Sequence, residues 1–327
     1  MLLPGSRRLF FLFGLLAVIN TVFFLRREFT DYQPHRTEVQ LYKAPGTEWN
    51  RYFTDFPAAS QQAAIRFTDS LLQGRDTSRL NQVQVIGAFL YHQFAPQLGR
   101  PSFQETYKDP WEMFQYYRAD TSRKLWCGHL SMLFNFFCLS RGIETRMIEL
   151  NKPGDHHVVN ECYLPGPGKW VLVDLTYDQL LVKKNDGLLG LAAFRKLQGR
   201  PDQLLNVRTA DDSTRTISMD TGYIRNYYAD SVKAFYYITV NPEKNYSITA
   251  KVKRYFWPDP WYYELSQQPA NQLFFYLRQV FLLSWLLTVG WLLFPLSTLP
   301  LAPAQTPCPP PPPIPPPPPL PFPRPPK

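Results

Sequence analysis

A cysteine, a histidine and an aspartate follow one another in the order and setting that a cysteine nucleophile requires. They lie between Trp126 and Tyr177, where the chain reads WCGHLSMLFNFFCLSRGIETR, then GDHHVVNECYL, then KWVLVDLTY. Cys127 would attack a carbonyl and His157 would take the thiol proton. Asp174 would fix the imidazole tautomer and stabilise the imidazolium. This chemistry needs the three side chains to meet at one edge of a sheet, so it depends on the elements that carry them.

Leu130, Leu133, Phe134 and Phe137 recur at i, i+3, i+4 and i+7, the stripe of a core-facing helix. Gly142 falls just past its far end, where a glycine ends many helices. Cys127 therefore opens the helix, ahead of the apolar stripe. There the unpaired N–H groups and the positive end of the helix dipole favour a thiolate. Gly128 leaves room for a substrate to approach.

Residues 146–150, 157–164 and 169–175 read as three short strands separated by Pro/Gly turns. The LPGPGK run at 164–169 is a loop, which makes the last two strands a hairpin. Alternation puts His157, Val159 and Glu161 on one face and Val158, Asn160 and Cys162 on the other. Trp170, Leu172 and Asp174 share a face of the next strand, so His157 and Asp174 pair across the hairpin. A one-residue slip would put His156 in place of His157. A metal site of Cys127, His129, His156 and His157 has ligands of the right kind. Its spacing matches no familiar zinc motif, and neighbouring strand residues face opposite ways. No metal and no cofactor is expected.

These residues resemble the transglutaminase-like superfamily, a branch of the papain-like cysteine-enzyme fold. That family has a cysteine opening a helix, a GI-x-x-R turn, a strand H-x-x-x-E and a strand W-x-x-x-D. Here they correspond to Cys127, then Gly142 to Arg146, then His157 with Glu161, then Trp170 with Asp174. The histidine-to-glutamate gap selects His157 over His156. The likeness covers about residues 120–180, with a looser match upstream at 82–94 and in DPWEMF at 109–114. It implies an α+β, papain/transglutaminase-like core: a helix bearing the cysteine packed on an antiparallel sheet bearing the histidine and aspartate. It also implies acyl chemistry on amides. The family includes cross-linking enzymes, peptidases, peptide N-glycanases and proteins without catalysis, so it does not choose a substrate. Val159 stands where the family often has an aromatic. No glutamine precedes Cys127 to donate to an oxyanion. That leaves the Cys127 backbone N–H, with an indole N–H of Trp111 or Trp126 as substitute, and Glu161 as a further pocket residue.

The chain has 327 residues, 45% hydrophobic and 16% aromatic, enough for one sizeable core plus extra segments. Its net charge of +9 is scattered, and no RNA- or DNA-binding motif occurs, so nucleic acid is not an expected partner. The four cysteines, Cys127, Cys138, Cys162 and Cys308, make no disulfide framework. Cys127 and Cys138 sit on one helix roughly 16 Å apart, too far to bond.

Residues 9–25 and 280–296 are apolar runs that read as transmembrane helices, flanked by Arg7, Arg8, Arg26 and Arg27 and by Tyr276 and Arg278. From Pro307 onward the chain is nearly all proline, a polyproline II spacer or a ligand for a partner domain. The expected organisation is an anchor at 1–27, a transglutaminase-like domain at 28–272 with its core at 80–180, a second spanning helix at 273–299 and a tail at 300–327. The domain would then be extracytoplasmic, as in a bacterial periplasm. Residues 58–72 and 188–197 read as helices, and 234–240 and 247–255 as strands. The aromatic run at 257–263 reads as an interfacial belt or a groove lining. The expected function is a membrane-anchored cysteine acyl hydrolase or acyltransferase with a protein or peptide substrate. The alternative is an inactive scaffold that binds a peptide or glycan in the same groove.

Overall fold

Helix-period sequence dominates the first half of the chain and strand-period sequence the second, and they fold as an α+β structure with antiparallel sheets. The computed structural model describes residues 4–25, 35–42, 46–101, 109–185, 187–197, 203–239 and 262–265, with single positions beyond. Five longer helices come first: α1 (Pro4–Leu25), α2 (Ala58–Leu72), α3 (Arg79–Phe94), α4 (Pro110–Ala119) and α5 (Cys127–Ser140). Two short ones, α6 (Leu191–Arg195) and α7 (Gly222–Tyr227), lie among the later strands.

The larger sheet has six strands. In chain order these are β1 (His35–Arg36), β2 (Thr145–Lys152), β3 (Asp155–Leu164) and β4 (Lys169–Val173), then β9 (Lys233–Tyr237) and β10 (Tyr262–Leu265). Their spatial order is β1-β10-β9-β2-β3-β4, antiparallel except where β1 runs parallel to β10. A second, four-stranded sheet is built from β5 (Leu181–Lys184), β6 (Gly187–Leu188), β7 (Leu204–Arg208) and β8 (Thr214–Ser218), in the order β6-β5-β7-β8.

The strict period of the strands sorts their side chains into two cores. Met147, Val158, Cys162, Val171 and Val173 face the helices, where Leu130, Leu133, Phe134 and Phe137 of α5 are buried. Ile148, Leu150, Val159, Trp170 and Leu172 face the other way, onto Val182, Leu205 and Val207 of the small sheet and Phe194 and Ile224. The result is three layers with β2, β3 and β4 in the middle. Each fully buried large apolar side chain contributes about 1.5–3 kcal/mol. Gly142, at φ +62°, ends α5 in the left-handed conformation that glycine adopts without a Cβ penalty.

The two transmembrane helices expected from the sequence are corrected here. Among the described residues no helix is long and apolar enough to cross a membrane. The second run, at 280–296, lies largely outside the described residues. The membrane placement and the extracytoplasmic, periplasmic side rested on those spans and fall with them. The expected strand at 247–255 lies almost wholly outside the described residues, and the proline tail lies wholly outside them. Of the aromatic run at 257–263, Tyr262 and Tyr263 belong to β10, and Tyr263 packs edge-on to Trp49 with the Arg36 guanidinium 3.6 Å from its ring centre.

Candidate active site

Trp126 caps α5 in an extended conformation, and its backbone N–H donates to His129 Nδ1 at 3.2 Å, so the helix begins at Cys127. Two hydrogen bonds stitch this end of α5 to β3. Ser131 Oγ donates to the Val158 carbonyl at 2.9 Å, and Asn160 Nδ2 donates to the Ser131 carbonyl at 3.1 Å. The thiol is thereby placed beside the start of the strand that carries His157.

In the β3–β4 register Asn160 stands opposite Val173, so His157 and Asp174 are diagonal neighbours on one face. His157 Nε2 lies 2.8 Å from Asp174 Oδ2. That leaves Nδ1 for Cys127. His157 is only 3% exposed and Asp174 fully buried, whereas Cys127 is half-buried, as an attacking atom must be. His156, one residue away, is exposed.

Burial by itself disfavours the charged imidazolium. The charge and hydrogen bond of Asp174, followed by those of Cys127, outweigh it and raise the His157 pKa to about 10. Asp174 is itself held from several sides. Its Oδ1 accepts the Thr176 N–H at 3.1 Å, its Oδ2 accepts the Tyr228 hydroxyl at 2.6 Å, and its backbone exchanges hydrogen bonds with Gln179 at 2.7 and 2.8 Å.

Aromatic rings enclose the imidazole: Tyr227 at 4.9 Å, Tyr177 at 5.3 Å and Tyr228 at 6.4 Å between centroids. Tyr177 in turn stacks on Tyr223 at 4.0 Å. Sequence reasoning missed these four tyrosines. The local sign for three of them was their density in GYIRNYY at 222–228, a segment without strand or long-helix periodicity; Tyr177 lies just after Asp174.

The remaining sequence-selected residues are dispersed. Trp126 is 42% exposed and stacks on His129, which puts an indole at the rim beside Cys127. Trp111 packs among Phe67, Phe114 and Phe137 in the helical layer. Glu161 is fully buried and bound to Arg146, Tyr42 and the Leu191 N–H, so its carboxylate has no part in lining the site. Val159 is fully buried in the second core. Cys127, His129, His156 and His157 do not converge: among the described residues no group of three or more His, Cys, Asp or Glu side chains is arranged to hold a metal.

Two grooves, of about 640 and 510 Å³, lie elsewhere, one beside His92 and the other beside Arg195, and neither contains Cys127, His157 or Asp174. The convergence of a thiol, an imidazole and a buried carboxylate marks the candidate site better than cavity size does. The chain matches no family model, no curated protein and no solved structure.

Proposed function

We propose that the protein is a transglutaminase-like cysteine acyl hydrolase or acyltransferase acting on peptide or amide bonds. One observation carries this reading: the His157 imidazole, its Nε2 held 2.8 Å from the buried Asp174 Oδ2, also feels the half-buried Cys127 thiol, which helps raise its pKa. Cys127 Sγ attacks the substrate carbonyl after its proton passes to His157. The Cys127 backbone N–H, in the first turn of α5 where N–H groups have no intrahelical acceptor, faces the developing oxyanion. His157 then protonates the departing amine, leaving an acyl group on sulfur. Water or a second amine, deprotonated by His157, releases it.

The test is the pH dependence of iodoacetamide labelling at Cys127 in the full-length chain, located by peptide mass, with a His157→Ala chain alongside. Fast labelling below neutral pH that collapses in the variant is expected. An ordinary thiol profile, the same in both chains, would instead leave a groove that binds a peptide or glycan without cleaving it.

A further inference from the structure

We infer that Tyr228 is a positioning residue of this site: its hydroxyl shares Asp174 Oδ2 with His157, and so loosens the carboxylate's hold on the imidazolium proton. The inference rests on the hydrolase reading above and deepens it.

Asp174 is buried, and a buried carboxylate facing an imidazolium in low dielectric binds its proton tightly. A base that must give up its proton in each half of an acyl transfer is hindered by such a grip. A neutral donor on the same oxygen takes part of the negative charge while leaving the orientation intact. Tyr228 has the geometry for this, with its Oη 2.6 Å from Oδ2, the atom that also meets His157 Nε2 at 2.8 Å. Burial, and then the Asp174 charge and hydrogen bond, push the Tyr228 phenol well above its ordinary range, so it remains a donor wherever the enzyme works.

The backbone around Tyr228 is fixed. Its N–H donates to the Ile224 carbonyl at 2.9 Å, closing α7. Arg195 donates to three carbonyls just beyond: Nε to Tyr228 at 3.3 Å, and Nη2 to Ala229 at 2.6 Å and to Val232. The Phe194 ring packs edge-on against the phenol at 4.8 Å. The phenol therefore has one orientation. Besides His157 and Tyr228, the titratable groups that feel Asp174 are Tyr223 and Tyr177, both kept neutral by burial and by the same charge. On its other side His157 meets Cys127 and the Tyr227 ring, whose hydroxyl is engaged by Asp155.

The test is an NMR titration of the His157 ring in the full-length chain, assigned by its loss in His157→Ala. Tyr228→Phe should raise the His157 midpoint by about one pH unit. Should that variant fail to fold, 3-fluorotyrosine placed at 228 keeps the shape, is the stronger donor and should lower the midpoint. A merely structural tyrosine would change the melting temperature and leave the midpoint in place, and that result, or a shift of the opposite sign, overturns the inference. The two readings fail separately. Labelling of Cys127 that ignores His157 removes the hydrolase, whereas His157-dependent labelling with an unmoved midpoint removes only the role of Tyr228.

Discussion

Arg146 on β2 and Glu161 on β3 stand directly opposite each other and form an ion pair from which water is wholly excluded. Arg146 donates to Glu161 Oε2 through Nε and Nη2 at 2.9 and 2.5 Å, and through Nη1 to the Leu41 carbonyl at 2.6 Å. Tyr42, Trp170 and Tyr236 enclose the guanidinium at 4.0–4.7 Å. Burial disfavours its charge, but Glu161 outweighs that and holds the Arg146 pKa above its ordinary value. Two residues of the sequence motif thus anchor the hairpin behind the site and take no part in its chemistry. Glu161→Gln would leave a buried, uncompensated cation. It should lower the unfolding free energy by about 3–5 kcal/mol, read from the denaturant midpoint. Arg146→Met together with Glu161→Gln should cost less than the two single changes added.

Removing the base should silence the thiol. His157→Ala should slow Cys127 labelling at neutral pH by on the order of a hundredfold or more, the range that positioned proton transfer supplies. Asp174→Asn keeps the shape but favours the wrong tautomer and should slow the labelling as well. Unchanged labelling in either chain, by timed alkylation and peptide mass, would contradict the assigned roles.

The raised pKa of His157 also has a consequence for stability. The folded state holds this proton up to about pH 10, while the free imidazole releases it near 6.5. The stabilisation is therefore fully present below about pH 6.5 and disappears as the pH climbs through 10. The difference in unfolding free energy between the natural chain and His157→Gln should shrink steadily across that interval. A difference that stayed constant or grew would show that the proton is not bound this way.

Gly190 gives a steric test. A Cβ at this position would lie 2.7 Å from the Trp170 carbonyl oxygen and 3.0 Å from Glu161 Oε1, and the first of these is backbone that cannot swing aside. Gly190→Ala should destabilise the chain by about 1–3 kcal/mol. Gly154→Ala provides the contrast: it meets nothing within 4 Å, so any cost there comes from its φ of +82° alone. Melting curves of the two variants separate crowding from backbone strain.

Local periodicity made part of this architecture legible. The stripe of Leu130, Leu133, Phe134 and Phe137 gives a helix that starts at Cys127, and strand alternation separates His157, Val159 and Glu161 from Val158, Asn160 and Cys162. Residues 58–72 read as a helix for the same reason. The small sheet was not legible. On β8, Thr214, Arg215 and Thr216 are all exposed, so the strand has no apolar alternation to announce it. Tyr228 was beyond reach for another reason: its contact with Asp174 bridges 54 residues and depends on a six-residue helix, which no window along the chain detects. The apolar run at 9–25 was read as a spanning helix from its hydrophobicity alone, whereas among the described residues no helix meets the combined demand of length and apolarity that a bilayer makes.

The 54-residue separation between Asp174 and Tyr228 also sets an order of events on the ribosome. Thiol, imidazole and carboxylate leave the exit tunnel first, while the phenol, Arg195's three carbonyl acceptors and strands β9 and β10 are still being made. At about 5–20 residues per second, the nascent chain carries thiol, imidazole and carboxylate for several seconds before the layer that supports them exists. A fragment that stops near residue 180 would freeze that immature state, with the motif complete and its backing absent.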